Sequence, residues 1–256
     1  MVWNERAYHL SPVIDVTLAG TPVGRVVARF GVASSLLEKA DTCVLELADY
    51  RRFLTGSVKR GDPLLIKWGY AEEGLIEIFR GVVRSVGIDD PVIIRGIDYN
   101  TILNSNRVQM TFEEETVSGI IRAVMSGTGL GLDLEDCQLE IDRLPFFNRT
   151  VRECIDAVSE LVWNETGEEF LDYIREGTFH WSKKKKTGGA QCAFRMGVNI
   201  IRQEVVSDGL EFIETLVSPV KHSETIEVEA ERQFVVKVEY LWQAGGRTRI
   251  WYEHAG

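Results

Sequence analysis

"DPLLIKWGYAEEGLIEIFRGVVRSVGIDD" (residues 62–90), followed at once by "PVIIRGIDYNTILN" (91–104), decides the fold. Leu64, Ile66 and Trp68 alternate with Leu65 and Lys67, and after "AEEG" Ile76 and Ile78 alternate with Glu77 and Phe79. Successive side chains of a strand point to opposite faces, so this period of two reads as strand, turn, strand. Gly81 stands inside the second run, where a glycine marks a bulge or a tight bend in a curled sheet. "VIIRGI" supplies a third strand, and no catalytic motif stands beside the meander.

Towards the N-terminus, "VIDVTLAG" and "CVLELADY" continue the pattern, with Cys43, Leu45 and Leu47 on one face and Val44 and Glu46 on the other. Five or six short strands with glycine-bearing turns predict a small barrel or sandwich. From about 106 to 175 the period becomes helical, twice. Val117, Ile120, Ile121, Val124 and Met125 form one apolar stripe after a Thr116 cap. Val151, Cys154, Ile155 and Val158 form the second, opened by the capping box of Thr150 and Glu153. Each helix runs into Thr-Gly (Thr128-Gly129, Thr166-Gly167) and then a short strand, a degenerate internal repeat. Strand patterns then resume in "FRMGVNIIRQEV", "LEFIETLVSPV", "ETIEVEA", "RQFVVKVEYLW" and "TRIWYEH". In the fourth of these, Phe234, Val236, Val238, Tyr240 and Trp242 are expected on one face.

The expected class is therefore α+β, mainly β: two small β-barrel-like domains, 1–105 and 191–256, flanking an α/β insert of two helix-strand units, 106–190. With 256 residues, 45% hydrophobic and 27% charged, the chain can bury a sizeable core. It has no apolar run of about 20 residues, and "MVWNERAYHLSP" lacks a signal-peptide layout, so residence in the cytoplasm without a membrane is expected.

A formal charge of -10 opposes phosphate gripping, so no sequence-specific nucleic-acid binding is expected. The local exception is Lys183 to Lys186 beside Trp181, read as a solvated tip between strands "TFHW" and "CAFRM". Cys43, Cys137, Cys154 and Cys192 form no C-x-x-C pair, and His9, His180, His222 and His254 fall in no metal motif. Asp133, Glu135, Asp136, Glu140 and Asp142 lack the glycine and closing glutamate of an EF-hand. No G-x-S-x-G, P-loop or dinucleotide fingerprint occurs, and the adjacent pairs Glu114/Glu115 and Glu168/Glu169 point apart. Neither catalytic residues nor a metal or other cofactor are expected.

"IEIFRGVVRSV", "GIDYNTIL", "TFEEETVSGIIRAVMSGTGL" and "NRTVRECIDAVSELVWNETGEEFLDYIREGTFHW", in that order, resemble the baseplate hub proteins of contractile-tailed phages. That family includes the late control protein D group and the Mu-type tail protein, and is related to the front half of type VI secretion spikes. The resemblance runs from about 40 to 240. It rests on Phe-x-Gly (Phe79 to Gly81), on Asp98-Tyr99 before a short helix, and on the two Thr-capped helices. It implies a non-enzymatic virion subunit: a homotrimer whose pseudo-sixfold ring joins the tail tube protein to the spike protein. DNA or protein cargo would pass through that ring, and the subunit would wait in the host cytoplasm before assembly. From alternation and the family arrangement, Ile76, Ile78, Phe79, Asp98, Phe234, Val236 and Val238 are expected at subunit contacts, with Asp98 also a candidate helix cap. Residues 1–38 match the pattern poorly, and no lysozyme-like module or spike β-helix is attached.

Two other classes stay open. Trp68, Trp242 and Trp251 can serve as stacking platforms of a carbohydrate- or peptide-binding module. Glu165, Glu168 and Asp172 can serve as acid and base of a cell-wall-degrading tail enzyme, if two of them face one another across a cleft.

Overall fold

The computed structural model describes residues 11–49, 56–87, 90–184, 190–206, 210–242 and 245–254. The chain begins with β1 (Pro12–Leu18), β2 (Thr21–Pro22), β3 (Val27–Ser35), β4 (Thr42–Leu47), β5 (Pro63–Tyr70), β6 (Gly74–Gly87) and β7 (Val92–Asp98). Next come α1 (Asn100–Ser105), β8 (Arg107–Thr116), α2 (Val117–Met125), β9 (Gly131–Leu134), β10 (Glu140–Thr150), α3 (Val151–Thr166), β11 (Phe170–Arg175) and β12 (Thr178–Lys183). It closes with β13 (Ala193–Phe194), β14 (Ile200–Val205), β15 (Glu211–Thr215), β16 (Thr225–Val228), β17 (Glu231–Trp242) and β18 (Arg247–His254). The fold is mainly β, as expected.

Two compact units result, the insert from Tyr99 to Lys184 and the β-rich remainder. In the β-rich unit one curled sheet runs β14-β15-β18-β17-β3-β4-β7-β6-β5-β1-β2, with β16 on β17 and β13 on β16. Its N-terminal and C-terminal segments meet at β3, which pairs antiparallel with β17 from Phe30↔Trp242 to Ser35↔Lys237. A single core follows the sheet across both segments, from Val16, Leu45 and Ile66 to Ile213, Val238 and Ile250. At its centre Trp68 is fully buried, with the rings of Phe30 and Tyr240 edge-on at 5.6 and 5.4 Å.

Gly81 and Gly96 exist for close approach. A β-carbon on Gly81 would strike the Ile97 carbonyl oxygen and stand 2.8 Å from Asp98 Cα; one on Gly96 would stand 2.5 Å from Cys43 Sγ. The bulges expected at Gly81 instead flank it, where the β5–β6 register skips Ile78 and the β6–β7 register skips Arg84.

The insert repeats one sentence of structure. β8 leads into α2 and β9; β10 leads into α3 and β11. β8 and β10 pair antiparallel, while β12 lies between β9, to which it is parallel, and β11, to which it is antiparallel. Both caps form as read from sequence: Thr116 Oγ1 accepts from Gly119 N at 3.1 Å, and the Thr150–Glu153 box closes at 3.1 and 2.6 Å. Both helices also stop alike. Thr128 and Thr166 donate their hydroxyls to the carbonyls of Met125 and Val162, each at 2.8 Å, and then accept from Leu130 and Glu168 amides. Gly129 and Gly167 follow at φ +73 and +71, the left-handed turn that only glycine adopts without strain. The stripe residues Val117, Ile120, Ile121, Cys154, Ile155 and Val158 all enter the insert's core.

Candidate functional site

The seven residues expected at subunit contacts occupy varied places. Ile78 and Phe79 are consecutive yet both core residues, because Ile78 is the bulged position of β6; Ile76 packs half-buried against the same core. Asp98 is buried at the end of β7, where its amide donates to the Asp41 carbonyl. The short helix α1 starts at Asn100, behind Tyr99, whose side chain makes no cap. In β17 a bulge between Val235 and Lys237 shifts the phase, so Val235, Val238 and Tyr240 face the core in place of one continuous even-numbered row. Phe234 and Val236 are buried outside that core.

One group of exposed apolar residues lies at one end of the sheet. β14 is the terminal strand, paired with β15 on one side; on the other, among the described residues, the only backbone pairing is the local bridge between Met196 and Ile200. Ile201 is 49% and Val205 77% exposed, with Met196 and Val206 nearby on the surface. Side-chain hydrogen bonds tie this edge to its neighbours. Gln203 Nε2 donates to Tyr252 Oη at 3.2 Å, and that hydroxyl donates to Glu211 Oε2 at 2.9 Å, fastening β14 across β15 to β18. The preceding turn is locked by Asn199, whose Oδ1 accepts from Arg195 N at 2.7 Å and whose Nδ2 donates to the Ala193 carbonyl at 2.8 Å. Sequence reading found the strand and missed the surface; the doublets Ile200-Ile201 and Val205-Val206, which place apolar groups on both faces, were the available signal.

The other end of the sheet holds a cleft of about 790 Å³. β2 covers β1 only at Thr17 and Leu18, and the turn Gly24–Val26 leans on β1 further along, a β-carbon on Gly24 being 3.1 Å from the Ile14 carbonyl oxygen. Between that turn, Pro12 to Asp15 and the Trp242 ring the surface is concave and largely apolar, with the charges of Asp15, Arg25 and Asp49 around it. Val13 is 38% exposed there.

The groups weighed for catalysis are committed elsewhere. Arg152 Nη1 lies 2.5 Å from Asp172 Oδ2, and Nη2 3.3 Å from Asp156, an ion pair almost wholly inside the insert. Glu168 binds Lys183 Nζ at 2.6 Å, and Glu165 is exposed. The first two lysines of the basic run are thus answered by acids, Lys184 meeting Glu169 at 3.4 Å; Lys185 and Lys186 lie outside the described residues, as does His9. β12 and β13, the strands on either side of that tip, belong to different sheets, β13 pairing parallel with β16.

The four thiols are unpaired, and burial pushes Cys43 up to about 12 and Cys154 and Cys192 to about 11, the opposite of an activated nucleophile. Among the described residues no three His, Cys, Asp or Glu side chains are placed to hold a metal ion, and no helix is long and apolar enough to cross a membrane. Trp68 is shut inside the core, Trp242 stacks on Phe30 at 6.1 Å, and Trp251 stacks on Phe212 at 5.5 Å beneath Lys237 Nζ.

No family model and no curated protein sequence matches the chain. Solved structures do. The 43 kDa tail protein of prophage MuSo2 from Shewanella oneidensis superposes with a TM-score of 0.75 at 11% identity, over 96% of this chain and 99% of that one. The tail protein from Neisseria meningitidis MC58 gives 0.72 at 10% identity, over 95% and 96%. The E. coli c3393 protein, a component of the type VI secretion system with structural similarity to the T4 tail proteins gp27 and gp5, gives 0.61 at 9% identity, over 96% of this chain and 75% of that one. The resemblance read from the motifs is thus met by the fold: nearly the whole chain has the fold of Mu-type prophage tail proteins and of the related type VI secretion component.

Proposed function

We propose that this chain is a structural subunit of a phage or prophage tail, and within the tail a baseplate hub. Three copies form a ring of pseudo-sixfold symmetry that joins the tail tube to a separate spike protein. The observation that carries the reading is the end-to-end match to two tail proteins, each aligned over 95% or more of both chains. In this reading the segments 1–105 and 191–256 act as the two β-rich halves of each subunit and 106–190 as an insert between them. Asp98, Ile78, Phe79, Phe234, Val236 and Val238 keep the ring strands in register from within, and Ile76 stands nearer the contact surface. The subunit works without a cofactor, waits in the host cytoplasm and ends in the virion. Its acidic balance keeps passing DNA from adhering to the channel wall.

A structural role is further supported by the use of Asp172 and Glu168 in ion pairs. The test is the solution mass by light scattering after size exclusion, over a range of concentrations. A species of about 87 kDa, three times the 28.9 kDa chain, is expected. A monomer at every concentration overturns the self-assembled ring.

A further inference from the structure

We draw no further inference here: the strongest candidate, the terminal strand β14 with its exposed Ile201 and Val205, carries none because nothing in the structure shows what covers it.

Discussion

The β-rich unit and the insert are held together by opposite means. In the first, β3 pairs with β17 from the far end of the chain, and one core runs through both segments, so no part of it is complete until distant residues meet. In the second, each helix begins and ends on its own threonine and glycine, and the same local device is used twice. Long-range pairing pays its loop-closure cost before any contact rewards it, whereas local caps form at once. The contrast teaches that the insert can order early, and that the sheet depends on the whole chain.

The harshest way to break that comparison is to remove the centre of the sheet's core. Trp68→Ala should cost about 4 kcal/mol, seen as a fall in the urea midpoint of the β-rich unit. If amide exchange in α2 and α3 rises equally, the two units unfold as one and the contrast fails. Next, Arg152→Ala removes the buried cation beside Asp172 and should cost about 3 kcal/mol, while the pair Arg152→Met with Asp172→Leu recovers most of the loss. Protection factors of α3 against those of β4 would show whether the damage stays local. The repeat is sharpened by Thr116→Ala and Thr150→Ala, each expected to cost about 1 kcal/mol by thermal unfolding. Clearly unequal losses would show that the two caps, alike in geometry, differ in worth.

The smallest effect is one of pH. His180 stacks on Tyr173 and donates its Nδ1–H to Asp133 Oδ2 at 2.9 Å, with Arg175 and Glu176 close by. Burial holds its pKa below the ordinary imidazole value, the Asp133 bond opposing. The unfolded chain therefore takes up the proton more readily, and the insert should lose stability as pH falls through about 6.5. His180→Asn should flatten that slope in denaturation at pH 7 and pH 5; an unchanged slope assigns it to the carboxylates.

Legibility followed burial. The strands with one face in the core, such as β4, β5 and β7, could be read by alternation. β8 and β10 could not, since residues such as Gln109, Thr111 and Glu113 stand in solvent and no apolar rhythm marks the strand. β3, the strand that joins the two ends of the chain, hides in "VARFGVASS", whose small residues carry weak strand preference. The bulges at Ile78 and Val236 reverse the parity on which the expected contact residues were chosen, and no pattern of alternation can announce a reversal. The exposure of Ile201 and Val205 on β14 was hidden for a related reason: an exposed aliphatic reads the same in sequence as a buried one.

The strand β12, set between β9 and β11, bears on how large such a molecule can become. Because β8 opposes β10, and β9 and β11 run oppositely on either side of β12, the two copies within the insert are related by a half-turn and not by a step along an axis. A stepwise relation would hand each repeat on to another, as in a solenoid. A half-turn is finished after two. Lengthening the gene by another such copy would give it no vacant place to fold, so evolution could enlarge this protein at its ends or loops, but not by multiplying the module it had already doubled.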